Sequence, residues 1–324
     1  MKKNNQISEQ YIINKYLRKL HFKKKETFDF KNDASFLKIP KNKQIVITND
    51  SILEEIDFFI NDPPESIANK IITYNLSDIS SMGAYPYAYT LSLCLPKKIN
   101  DNWLNKFTKR LFFLQKKYNF FLIGGDLSKS KKIIISSSFF GFVPKGKIIN
   151  RTGSLKKHDI WVTGNIGEST IGLNVRKKNI KVNRVFKKYF LNKYLYPNHF
   201  SLGHKIVNYA SSAIDISDGF YGDLLNLVMQ KNIGASIKSD LMPFSKKTRE
   251  LIDKKIVNLN LLLSSGDDYQ LIFTSHSKNS LKIKRIAMKN NIKITKVGKI
   301  IDKKGVYLDN KKIKITNKSF QHFA

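Results

Sequence analysis

Runs rich in β-branched and aromatic residues alternate along this chain with stretches of helical periodicity, and that alternation restricts it to a mixed α/β fold. In the first half, SFLKI (35–39) and QIVIT (44–48) read as a strand pair joined by the turn PKNK. YAYTLSLCL (87–95), FFLIG (120–124) and IIISSSFFGFV (133–143) read as further strands. Between them, residues 7–20 have helical spacing, and Pro63-Pro64 opens a helix carrying Ile67, Ile71, Ile72 and Leu76 that ends near Gly83. Asn100/Asp101 caps another helix, with Trp103, Phe107, Leu111 and Leu114 on one face. The second half restarts at DIWVTG (159–164). It continues with strands at SAIDI (212–216), YQLIFT (269–274), KITKVGKII (293–301) and GVYLD (305–309). Helices are expected at 184–194, 201–210, 218–231, 246–255 and 278–290. A chain of 324 residues predicts roughly two domains at about 100–200 residues each. The restart places their boundary at 1–147 and 148–324.

Five aspartates stand out against this frame. They read VITND (Asp50), NLSD (Asp78), LIGGD (Asp126) and AIDISDG (Asp215 and Asp218), in a chain with 58 Lys+Arg against 25 Asp+Glu. Each is expected where an apolar, β-rich stretch stops in a short polar turn, the place from which rigid scaffolds present functional groups. Carboxylates gathered there repel one another unless cations hold them. Oxygen-only ligands suit Mg²⁺, which is commonly shared with substrate phosphates. The residues thus point to a Mg²⁺-dependent phosphoryl-transfer site.

Composition removes several other classes. The single cysteine, Cys94, rules out a disulfide framework or a Cys-rich zinc site, and its alternating context TLSLCLP makes it a small core residue. No stretch approaches the ~18 apolar residues that span a bilayer. The basic start MKKNNQISEQ leads into no continuous apolar segment, so a signal peptide is not expected and the cytoplasm is the expected location. The formal charge of +33 invites a nucleic-acid reading. Only seven of the 58 basic residues are Arg, however, and the Lys are spread over the whole chain. Arg is the residue preferred for bidentate phosphate and base recognition. The charge therefore reads as lysines on solvated faces that attract anionic substrates.

No P-loop is present, since GNIGEST lacks the lysine of G-x-x-x-x-G-K-[ST], and no kinase catalytic-loop signature occurs. The six histidines lack metal-finger spacing. Taken singly, Gly124-Gly125-Asp126, the Gly153 turn after Arg151, Ser217-Asp218-Gly219 as a helix cap and Asp267-Asp268 as a hairpin turn all have ordinary structural readings.

Together and in order, NLSDISSMGAYP, LIGGD, NRTG, VTGNIGES, AIDISDGFYGDL, SSGDDYQLIF and QHFA closely resemble the thiamine-monophosphate kinase family, from about Phe30 onward. The resemblance implies the two-domain fold shared with aminoimidazole ribonucleotide synthetase: an N-terminal ATP/Mg-binding domain whose strands form a dimer sheet, and a C-terminal α/β domain. It implies a homodimer, with no nucleic-acid or membrane partner, that converts ATP and thiamine monophosphate into ADP and thiamine diphosphate. Carried over residue by residue, Asp33, Thr48, Asn49, Asp50, Asp78, Asp126, Asp215 and Asp218 correspond to the Mg²⁺ ligands. Gly125, Arg151 and Ser217 match nucleotide contacts, and Asp57, Asp267 and Phe320 fall where the family contacts the thiamine phosphate. Asp126, Asp218 and Arg151 are the expected catalytic residues. Three departures stand out: Lys31-Asn32-Asp33 replaces a Gly-Asp-Asp, Asp57 replaces a His, and Asp267 replaces a Glu. Two relatives fit less well. Selenophosphate synthetase calls for a reactive Cys in a glycine-rich N-terminal loop, and the hydrogenase-maturation relative for a C-terminal Cys.

Overall fold

The computed structural model describes residues 8–229 and 231–313. It forms two units, Met1–Ile79 with Tyr85–Lys145, and Ser80–Ala84 with Gly146–Ala324.

The first unit is built on a four-stranded sheet of order β1-β4-β2-β3, comprising β1 (Lys43–Leu53), β2 (Tyr85–Leu95), β3 (Phe121–Lys129) and β4 (Ile134–Pro144). β4 pairs antiparallel with β1 and β2, while β2 and β3 run parallel, joined through a helix as parallel strands require. After a short α1 (Glu9–Ile12), the unit carries two long helices, α2 (Pro64–Ser81) and α3 (Asp101–Tyr118). Most apolar residues expected on them are buried, Ile67, Ile71, Ile72 and Leu76 on α2 and Phe107, Leu111 and Leu114 on α3, while Trp103 on α3 is half-buried. The Asn100 side chain caps α3 by accepting the Trp103 N–H at 3.0 Å.

Two local expectations fail here. Residues 35–39 form no strand. The Ser35 hydroxyl donates instead to the carbonyl of Ile123 at 2.6 Å, and the Phe36 N–H donates to the carbonyl of Glu26. These bonds fasten the segment at single points instead of in a ladder. The helical pattern of 7–20 divides, over its described residues, into α1, a π turn (Ile13–Leu17) and a 3₁₀ turn (Arg18–His21). It stops at Phe22 and Lys23, both in the left-handed region.

The second unit has a seven-stranded mixed sheet of order β11-β10-β7-β9-β5-β8-β6. In chain order these are β5 (Asp159–Thr163), β6 (Ser212–Asp215), β7 (Gly234–Ile237), β8 (Leu271–Ser275), β9 (Ile294–Ile301), β10 (Gly305–Leu308) and β11 (Lys311–Lys312). Its helices are α4 (Glu168–Arg176), α5 (Arg184–Leu195), α6 (Gly203–Ile206), α7 (Phe220–Val228), α8 (Lys246–Asp253), α9 (Leu259–Ser264) and α10 (Ser280–Lys289). DIWVT and LIFTS are buried at every position because both faces are covered. Ile160, Val162, Ile214 and Ile272 point into a core completed by Phe190, Phe220, Leu224 and Leu262. Trp161, Ala213, Leu271 and Phe273 point the other way, onto Ile206, Ile283 and Ala287. The expected helix over 201–210 shrinks to α6, where Gly203 lies so close to Ser80 that a Cβ would sit 1.7 Å from its carbonyl oxygen.

Candidate functional site

The five aspartates do not share one local context. Only Asp215 ends a strand, with Asp218 in the turn before α7. Asp50 lies inside β1, which continues to Leu53 because Asp50 itself pairs with Ser137 of β4. Its neighbours Asn49 and Ser51 sit on the exposed face, where polar side chains cost a strand nothing. Asp78 lies inside α2, since the apolar spacing of Ile71, Ile72, Leu76 and Ile79 carries the helix through NLSD. Asp126 lies inside β3.

In the first unit, β1, the turn after it and α2 bring Thr48, Asp50, Asp57 and Asp78 together. The Thr48 hydroxyl donates to the Asp78 carboxylate at 2.5 Å. Asp50 is pushed up to about 7 by burial, and then by the charges of Asp78 and Asp57. Its Oδ2 is buried with no hydrogen-bond partner among the described residues. Asp57 is held in a turn in which its Oδ2 accepts the Leu53 N–H at 2.8 Å. Asn49, on the outward face, donates to the Ser138 hydroxyl at 2.8 Å.

Asp126 reaches its position through a β-bulge. Tyr89 pairs with Leu122 but Thr90 with Gly124, so Ile123 is an extra residue and the strand is re-aimed just before the aspartate. Gly125 permits the close approach that follows: a Cβ there would stand 2.0 Å from the carbonyl oxygen of Leu91. Asp126 is exposed and accepts from the Ser128 hydroxyl at 2.7 Å. Asp33, Gly125 and Asp126 line one cavity of about 440 Å³, otherwise walled mainly by Ile13, Leu17, Phe30, Leu37 and Leu91.

In the second unit, the turn after β6 is interlocked with the segment before β8. The Ser217 carbonyl accepts the Asp267 N–H at 2.9 Å, and the Ile216 carbonyl accepts the Tyr269 N–H at 2.8 Å. A side chain on Gly266 would stand 1.8 Å from the Ser217 carbonyl oxygen. Gly219, at φ 131°, occupies backbone space that other residues rarely enter. Asp223, in the first turn of α7, reaches back so that its Oδ2 accepts the N–H groups of Asp218 (3.2 Å) and Gly219 (3.1 Å). Burial, followed by the Asp218 charge, pushes Asp223 up to about 7, while those N–H bonds and Arg151 pull it down. Arg151 itself is exposed on a 3₁₀ turn, Arg151–Gly153, whose Gly153 passes the Ser211 carbonyl too closely for any side chain. The Tyr269 hydroxyl donates to Asp267 at 2.9 Å. Asp268 is buried, accepts the Gly167 N–H at 2.6 Å, and is raised well above the usual carboxylate range by burial.

Each unit thus assembles its own group: Thr48, Asp50, Asp57 and Asp78, with Asp33, Gly125 and Asp126 around the cavity, in the first; Asp215, Ser217, Asp218, Asp267 and Arg151 in the second. Phe320 lies outside the described residues. The sequence reading did not assign Asp223 or Asp268 a role, although both stand in the motifs AIDISDGFYGDL and SSGDDYQLIF. A carboxylate five residues after Asp218, in the first turn of the helix, was the available signal.

Among the described residues, no three Asp, Glu, His or Cys side chains are grouped to hold a metal ion by themselves. Mg²⁺ is usually held by one or two carboxylates, water and substrate phosphates, so a closed protein cage is not required. The donor set fits such an ion: a buried carboxylate oxygen without a partner at Asp50, beside further carboxylates that repel it.

Residues 31–143 match the family described as AIR synthase related protein, N-terminal domain. With the two mixed sheets, this match defines the class, an AIR synthase-like α/β protein. A thiamine-monophosphate kinase of Buchnera aphidicola subsp. Acyrthosiphon pisum is 36% identical over 324 residues, covering 98% of this chain and 99% of the relative. The chain belongs to the thiamine-monophosphate kinase family. The crystal structure of the thiamine-monophosphate kinase from Stenotrophomonas maltophilia K279a superposes with a TM-score of 0.80 at 28% identity, covering 87% of this chain and 90% of that one. A structure described as AaThiL complexed with AMPPCP and TMP superposes with a TM-score of 0.77 at 26% identity, covering 90% and 91%.

Proposed function

We propose that this chain transfers the γ-phosphoryl group of ATP to the phosphate of thiamine monophosphate, giving thiamine diphosphate and ADP. A terminal oxygen of the acceptor phosphate forms the new bond to the γ-phosphorus, and the bond from that phosphorus to the β,γ-bridging oxygen breaks, leaving ADP with the electron pair. The acceptor is already anionic, so no strong general base is needed. The difficulty lies in bringing two polyanions into line, which positioning and charge neutralisation overcome. A set of carboxylates without a catalytic His suits that task.

The observation that carries the reading is Asp50, a carboxylate with one buried, unpartnered oxygen beside two more carboxylates, in a chain of this family. Asp33, Thr48, Asn49, Asp50, Asp78 and Asp126 in the first unit, and Asp215 and Asp218 in the second, are the residues that hold Mg²⁺ in this reading. Bound Mg²⁺ supplies the positive charge that neutralises the phosphates and screens the carboxylates. Gly125 and Ser217 offer backbone and hydroxyl contacts to the nucleotide, and Arg151 adds a fixed cation to its phosphates. Asp57 and Asp267 contact the thiamine phosphate in this reading, a role the family resemblance also gives to Phe320. The first unit serves as the nucleotide and dimerisation domain of a cytoplasmic homodimer without nucleic-acid or membrane partners. Among the described residues, no helix is long and apolar enough to cross a membrane.

The test is formation of thiamine diphosphate from ATP and thiamine monophosphate, with and without Mg²⁺. Metal-dependent product is expected, and Asp126→Asn and Asp218→Asn should each abolish it while leaving the circular-dichroism spectrum unchanged. Product formation without any divalent cation, or near-normal turnover in both variants, overturns the metal assignment. Absence of product with ATP binding intact overturns the acceptor.

A further inference from the structure

Lys70 lies in the middle of α2 and is 1% exposed. Lysine is among the residues least often fully buried, because taking an ammonium out of water is costly unless it is well paired. An apolar residue of similar length would fill the same volume without that cost. The Lys70 ammonium donates to the main-chain carbonyl of Asp57 at 2.7 Å.

Asp57 sits in a turn that is bonded at both ends. Its N–H donates to the Leu53 carbonyl at 2.9 Å, its Oδ2 accepts the Leu53 N–H at 2.8 Å, and the Glu55 N–H donates to the Phe58 carbonyl at 2.8 Å. Glu55 is in the left-handed region at φ 74°, and Phe58 is a buried anchor. These bonds shape the turn within itself, whereas the Lys70 bond ties it to a helix. That helix also carries Asp78, whose carboxylate meets Thr48 of β1. One rigid element therefore fixes both the carboxylate pair and the neighbouring turn.

We propose that Lys70 is a positioning residue for the acceptor phosphate, whose ammonium holds the backbone of Asp57 in register with Asp50 and Asp78. The inference rests on the reading that Asp57 faces the acceptor. In this role Lys70 acts through that carbonyl, so its loss should be felt in acceptor binding and not in nucleotide binding.

The experiment is steady-state kinetics on the full chain with Mg-ATP and thiamine monophosphate, comparing Lys70→Met, Lys70→Arg and Asp57→Asn, with melting temperatures alongside. Losing a charge-assisted hydrogen bond that positions the turn should raise the KM for thiamine monophosphate on the order of tenfold or more in Lys70→Met. The KM for ATP should stay within about twofold, since no nucleotide contact is removed. Lys70→Arg keeps the charge and a donor, and should recover most of the loss. Should Lys70→Met fail to fold, Lys70→Arg carries the test, its displaced donor giving a smaller rise confined to the acceptor KM. Equal changes in both KM values, a loss confined to kcat, or no change overturns the proposal. Asp57→Asn separates the two levels: an unchanged acceptor KM there removes the reading of Asp57. A raised one, with Lys70→Met unaffected, removes the role of Lys70 alone.

Discussion

Asp50 makes the first unit less stable than it could be, and the effect is measurable. Its carboxyl is raised from 3.8 to about 7 by burial and by Asp78 and Asp57. The folded protein therefore keeps a proton that the unfolded chain has already released between pH 4 and 7. Stability is fully present below about pH 4 and falls as the pH rises towards 7, because the ionised group is penalised only in the folded state. At about 1.36 kcal/mol per pH unit, the cost above pH 7 is about 4 kcal/mol. That is an upper figure, since the residue keeps an edge to solvent. Asp50→Asn cannot ionise, so in EDTA at pH 8 it should be more stable than the parent by about 2–4 kcal/mol. At pH 4 the two should agree closely. The assay is urea denaturation at both pH values, with and without millimolar Mg²⁺, beside turnover. The cation should recover stability in the parent at pH 8 and much less in Asp50→Asn, which should be inactive. An unchanged fall between pH 4 and 8 in the variant, or near-parental turnover, would refute the reasoning.

Other substitutions probe how the site is held. Gly125→Ala places a Cβ 2.0 Å from the Leu91 carbonyl oxygen. The bulged strand must shift, costing about 1–3 kcal/mol in thermal unfolding and most of the activity by moving Asp126. Asp223→Ala leaves the N–H groups of Asp218 and Gly219 without their acceptor. It should destabilise by about 1–3 kcal/mol, while Asp223→Asn, which keeps an acceptor oxygen, should retain most of the stability; equal losses in chemical denaturation would deny the capping role. The Tyr89 hydroxyl is fully buried with no hydrogen-bond partner among the described residues. Tyr89→Phe should therefore be neutral or stabilising by about 1 kcal/mol in the same assay, and a marked destabilisation would reveal a partner.

Much of the fold was legible because the period of the apolar residues is a local property. The buried faces of α2 and α3 followed from it directly, whereas the coverage of DIWVT and LIFTS on both faces emerged only in the structure. The short α6 and the irregular segment at 35–39 did not, because their bonds go to residues distant in sequence. The same division runs through the site. The chain order alone supplied the aspartates, the glycines beside them and the family resemblance. It could not say that Asp50 and Asp126 sit within strands and Asp78 within a helix, since strand pairing and helix packing decide where an element stops.

What the sequence determined by itself is therefore the alternating α/β pattern and the inventory of acidic groups, both carried by residue type and spacing. Only the tertiary structure decided which of those groups face one another. Asp50 acquires its raised pKa from burial and then from the charges of Asp78 and Asp57, Asp218 is held by Asp223, and Lys70 bonds the carbonyl of Asp57. Charge repulsion and hydrogen bonding depend on distances in space, and separation along the chain does not fix those distances.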